Sequence, residues 1–140
     1  MKILFVAGFS PIVSDMTASR KLYVESLGLP LEGDYPHTEN LGGVKHFGLW
    51  SLSEAAKSCF GTDQWPAHLP IPQVTIEFEV EDVKAAAEEL EKKGCRLIHG
   101  ARLEPWKQTI TRLLSPDGIL VGLSHTPWFH QTDGGAEAKT

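Results

Sequence analysis

Thr75, Glu77 and Glu79 fall at alternate positions of "PQVTIEFEVED", residues 72–82. Side chains alternate along extended chain, so a hydroxyl and two carboxylates share one strand face. Val74, Ile76, Phe78 and Val80 share the other face, ready for a core. Inward carboxylates can hold a cation, ligate a metal or carry a proton. Glu79 lies near the strand end and is expected to be solvated. Glu77 is central, and burial without a partner would raise its pKa and cost stability. Two readings of Glu77 stay open: an internal ion pair, with Arg112 as the candidate partner, or contact with a ligand.

Four tryptophans could supply flat walls. Trp50 has the inward parity of its strand, and Trp106 lies in the loop before the last two strands. Indole faces attract flat or cationic groups by stacking and cation–π contact, worth roughly 0.5–2 kcal/mol each. Trp65 and Trp128 read as packing or interface residues. Of the six histidines only His46 has inward parity, with a hydrogen-bonding role ahead of a metal role. No HExxH spacing, nucleophile elbow or Cys/His cluster occurs. The candidate ligand-binding set is therefore His46, Trp50, Thr75, Glu77 and Trp106.

These residues need elements to position them. Residues 2–13 read as a strand, followed by a helix over "SDMTASRKLYVESLG", capped by Ser14 or Asp15 and ended at Gly28. "LPLEGDYP", "HTENL" and "VKHFGLWSL" follow as strand candidates, with Val44, Phe47 and Leu49 in the core. Residues 53–72 form a proline-rich connector with a short helix over 53–59. A strand over 73–80 precedes the helix "EDVKAAAEELEKKG", a strand "CRLIHG", a loop "ARLEPWKQ", and two strands joined by "PDG". "VSDMTASRKLYVESLG" and "VEDVKAAAEELEKKG" begin 67 residues apart, each after a strand and before three more. The predicted fold is α+β: two βαβββ modules, residues 1–52 and 73–126, whose cupped mixed sheets share a cleft. They form one domain over 1–128, and the polar tail 129–140 is expected to be disordered.

Composition agrees with a soluble globular chain: 140 residues, 41% hydrophobic and 22% charged. A net charge of −5 without a basic stripe argues against nucleic acid and mildly favours cationic ligands. No run is long enough to span a membrane, and the apolar start Ile3–Phe9 is too short for a signal core. Cys59 and Cys95 read as reduced thiols, and the cytoplasm is the expected location.

"VSDMTASRKLYVESLGL", "VEDVKAAAEELEKKG", "EPWKQ" and "LLSPDGILVGLS", in this order, resemble the vicinal oxygen chelate superfamily. That superfamily includes glyoxalase I, extradiol dioxygenases, fosfomycin-resistance enzymes and bleomycin-resistance proteins. The resemblance implies paired βαβββ modules, a homodimer and, in metal-using members, His, Gln or Glu ligands on the first and last strands of each module. Carried onto this chain, those positions are Gly8, Gly48, Thr75 and Gly122; a slip of two in module one would put His46 or Trp50 at its last-strand site. Glycine offers no donor, so no metal and no cofactor are expected. The resemblance is to the metal-free, bleomycin-resistance-like members, which hold a small aromatic or cationic molecule unchanged. The alternatives are a metal-dependent lyase, isomerase or dioxygenase with displaced ligands such as His46 and Glu77, or a regulatory domain with its cleft filled by its own side chains.

Overall fold

Two aspartates decide where the module helices begin. Asp15 Oδ1 accepts from Ala18 N and Asp82 Oδ1 from Ala85 N, each at 3.0 Å, satisfying an amide the first turn leaves free. The computed structural model describes residues 1–130. In it β1 (Phe5–Val13) leads into α1 (Met16–Arg20), which continues as a π-helical stretch, Lys21–Ser26. β5 (Val74–Glu79) leads likewise into α3 (Val83–Lys92). Module two then completes three strands: β6 (His99–Leu103), β7 (Thr109–Leu114) and β8 (Leu120–His125). Module one keeps only two-residue pieces: β2 (His37–Thr38), β3 (Phe47–Gly48) and β4 (Trp50–Ser51).

All eight strands join one mixed sheet in the order β2-β3-β1-β5-β8-β7-β6, with β4 also on β1. The fold is thus α+β, as expected. The modules meet at the antiparallel pair β1–β5, where a bulge between Val6 and Gly8 shifts the register. On one face Val80, Val83, Ala86 and Leu123 form a core, with Phe78 and Leu90 against it. On the other face the register aligns Gly8, Glu77, Gly122, Arg112 and His99 in one row across five strands. Residues paired in register point the same way, so this row lines the concave side.

Several boundaries differ from expectation. β1 starts at Phe5 rather than residue 2. β6 starts at His99 and runs into the stretch read as loop, because pairing with β7 at His99–Arg112 and Arg102–Ile110 recruits it. The simple alternation over residues 44–52 breaks at fully buried Leu49, whose amide turns to Pro36 O at 2.9 Å between β3 and β4. The connector helix α2 (Leu52–Phe60) is capped by Ser51 and ended by Gly61 at φ +77°. Trp65 packs there, edge-on to Phe60 and bonded to Pro70 O at 2.9 Å. The tail was expected to begin at 129, yet Phe129 ends a 3₁₀ turn from Pro127 and is buried. The expected disorder of 131–140 lies outside the described residues. Cys59 and Cys95 are unbonded thiols. Among the described residues no helix is long and apolar enough to cross a membrane.

Candidate functional site

A cavity of about 600 Å³ opens on the concave side, within the size range of small-molecule sites. His46, Trp50, Thr75, Glu77 and Trp106 all line it. The strand alternation of β5 brings in Thr75 and Glu77. Thr75 is spent on structure, its hydroxyl donating to Leu120 O at 2.9 Å. Trp50 comes from β4 and Trp106 from the β6–β7 turn.

Glu77 sits between two glycines, Gly8 on β1 and Gly122 on β8. Both are filled by its side chain. A Cβ at Gly8 would stand 3.3 Å from Glu77 Oε1, and one at Gly122 would stand 3.2 Å from Glu77 Cγ and 2.8 Å from Ile110 Cδ1. Its Oε1 accepts from Gln108 Nε2 at 3.1 Å. Burial pushes its carboxyl up; the Arg112 charge and the Gln108 bond oppose this, while Glu79 and Glu104 add to it. No ion pair with Arg112 forms. Arg112 Nη1 donates instead to Glu104 Oε1 at 2.7 Å, because Gly122 separates Arg112 from Glu77 by a full strand. Gln108 is the hub that sequence reading missed: Nε2 also donates to Thr126 Oγ1 at 2.9 Å, and Oε1 accepts Trp106 Nε1 at 2.9 Å.

Glu79 is not solvated, as its place at the strand end had suggested. It is fully buried, because the chain after β8 folds back over it. Ser124 Oγ and Thr126 Oγ1 donate to Oε1 at 3.1 and 3.0 Å, and Thr126 N and His130 Nε2 to Oε2 at 2.6 and 2.7 Å.

The opposite wall comes from the irregular chain of module one. Tyr35, His37 and His46 stack with ring centroids 5.0–5.8 Å apart. Burial and then the neighbouring His37 push His46 down, and burial pushes the Tyr35 hydroxyl up to about 12. A neutral imidazole and a neutral phenol follow, and Tyr35 Oη and His46 Nε2 share a hydrogen bond at 2.9 Å whose donor is set by the imidazole tautomer. Tyr35 is 41% exposed, but its hydroxyl end points inward, 2.8 Å from where a Cβ on Gly48 would stand. Trp128, read from sequence as a packing or interface residue, also lines the cavity and donates to Glu39 Oε2 at 3.0 Å. The place of Tyr35 and Trp128 in the cavity was not readable because no strand alternation governs their segments.

The metal positions implied by the resemblance do not fit an ion. Gly8, Gly48 and Gly122 carry no donor, and their surroundings are filled by Glu77, Tyr35 and Ile110. Among the described residues the one group of three metal-capable side chains is Glu79, His125 and His130, which is centred off the cavity. All four hydrogen bonds that Glu79 accepts would compete with an ion there.

Comparison with known proteins finds that the glyoxalase-like domain family matches residues 7–126. Curated proteins give no match. Among solved structures, a glyoxalase/bleomycin resistance protein/dioxygenase superfamily member from Vibrio splendidus 12B01 is similar at 15% identity. It covers 89% of this chain and 100% of its own, with a TM-score of 0.56. Methylmalonyl-CoA epimerase from Mycobacterium tuberculosis is similar at 16% identity, 88% of each chain and a TM-score of 0.57. A Legionella pneumophila structure described as NAD-dependent benzaldehyde dehydrogenase is similar at 15% identity, 84% and 96% coverage, and a TM-score of 0.57. At these identities the likeness is one of fold, and such different names on one fold assign no chemistry by themselves.

Proposed function

Because the chain belongs to the glyoxalase-like domain family, we propose that it uses the family's cleft to hold a small, flat, cationic aromatic molecule without a metal. The observation that carries this reading is the half-buried carboxyl of Glu77 in an aromatic cleft, with Trp50, Trp106, Trp128 and Tyr35 on the walls. A carboxylate there is costly unless a cation meets it. Arg112, bonded to Glu104, offsets that cost only in part; a ligand cation would supply the rest, and the indoles would cover its flat faces.

Titrating planar aromatic cations and bleomycin-like drugs against tryptophan fluorescence tests the reading. Saturable quenching that weakens at least tenfold in Glu77→Gln is expected. Silence across the panel, or undiminished binding by Glu77→Gln, overturns it.

The metal-dependent alternative would need a third donor beside His46 and Glu77, and His46 Nε2 is already engaged by Tyr35. Metal analysis of protein purified without chelators separates the two, since a stoichiometric divalent ion would favour the enzyme. The homodimer and the cytoplasmic location implied earlier are part of the same proposal; sedimentation velocity tests the dimer.

A further inference from the structure

Arg112 is fully buried, yet half of its guanidinium has no protein acceptor among the described residues. Nη1 is engaged, donating to Glu104 Oε1 at 2.7 Å and facing His99 Nε2 at 3.1 Å. Among the described residues Nε and Nη2 have no partner. These two nitrogens form one edge of the plane, with N–H bonds side by side. That edge is the fork that grips a carboxylate through two parallel hydrogen bonds.

A second guanidinium adds to the deficit. Arg102 Nη2 is also buried without an acceptor, and it lies 4.0 Å from the same Glu104 Oε1. Two cations thus share one carboxylate. Among the described residues Glu104 is the one carboxylate within ion-pair distance of either, and Glu77 acts on Arg112 only from farther off. Glu77 stands across Gly122 and turns to Gln108. Cys59, reaching in from α2, stays a neutral thiol, since burial pushes it up to about 11 against the pull of both arginines. Burial also pushes His99 down, leaving an uncharged ring whose Nε2 faces Nη1.

Trp50 separates this cluster from the cleft. Its indole lines the cavity, and Arg112 Cζ lies 5.4 Å from its centroid without lining the cavity itself. We propose that the Nε–Nη2 edge of Arg112, with Arg102 Nη2 beside it, is a subsite behind Trp50 for a carboxylate-sized monoanion, reached when the indole turns aside. The fork stands independently of what fills the cleft, so the anion is either free in solution or the carboxylate arm of an aromatic ligand.

Small carboxylates test this on the full-length protein. Formate, acetate and benzoate replace chloride at constant ionic strength, with formamide and benzamide as neutral controls of the same shape. The readouts are melting temperature and the fluorescence difference between wild type and Trp50→Phe. The carboxylates are expected to raise the melting temperature and perturb Trp50, and the amides to do neither. Benzoate binding at least tenfold tighter than formate assigns the anion to an aromatic ligand, and equal binding assigns it to a free ion.

Arg112→Met alone would strand Glu104, so the decisive variant is Glu104→Met/Arg112→Met, which removes the pair together. It should fold and lose the carboxylate response at least tenfold. Glu104→Gln should instead tighten carboxylate binding at least threefold, because it removes the competing anion. Equal effects of amide and carboxylate overturn the proposal, as does a full response in the double variant. No carboxylate response in either wild type or Glu104→Gln means the fork is met by water alone, which overturns it too.

Discussion

Glu77 is held in the cleft against its own charge. Its pKa is raised in the folded chain, chiefly by burial. The sign follows from linkage: a carboxyl raised on folding costs stability as pH climbs from the ordinary carboxylate range through the raised value, and the cost persists above it. Glu77→Gln removes that cost and keeps an acceptor for Gln108. Roughly 0.5–2 kcal/mol of added stability is expected at neutral pH. The gain should shrink as pH falls toward the usual carboxylate range, read from denaturant melts of both proteins. Cation binding should behave oppositely, tightening as pH rises and Glu77 ionises. A stabilised variant that has lost its ligand would mark residue 77 as kept for binding. Gly122→Ala should cost about 1–3 kcal/mol, since the new methyl meets Ile110 Cδ1 at 2.8 Å and Glu77 Cγ at 3.2 Å. The glycines could be read from sequence as missing donors; that a neighbouring side chain claims their space required the strand register.

At the scale of elements, the parts that sequence made legible are those with local causes. Asp82 caps α3 through Ala85 N, and Asp82→Ala should cost about 1 kcal/mol in thermal or denaturant unfolding. Strand alternation placed Thr75 and Glu77 inward for the same local reason. Glu79 shows the limit. Its parity was readable, but its burial comes from Thr126 and His130, 47 and 51 residues away. It ties β5 to β8 and to the turn that follows. Glu79→Ala should therefore cost about 3–5 kcal/mol by leaving buried donors unmet, measured by the same melts. β2 to β4 fall inside the stretches read as strands, but each is only two residues long, and that shortness was illegible because local propensity does not report where pairing stops.

For the whole molecule, βαβββ duplication was visible as a spacing between two capped helices, and the single mixed sheet realises it. The shape of the cleft was less visible, because module one builds its wall from irregular chain carrying Tyr35 and His37. A ligand that binds only the folded cleft should add about 2.7 kcal/mol at a hundredfold excess over its Kd. That rise in melting temperature should vanish in Glu77→Gln if the acid is the anchor. The packing of Glu77 between Gly8 and Gly122 also constrains descent. A lineage moving between this cleft and an ion-holding one would meet the Glu77 side chain on lengthening either residue, at 3.3 Å from a new Cβ at 8 and 3.2 Å from one at 122. At 8 the contact is with the movable tip of the acid, whereas at 122 it is with its inner Cγ and with Ile110, so residue 8 is the easier first step.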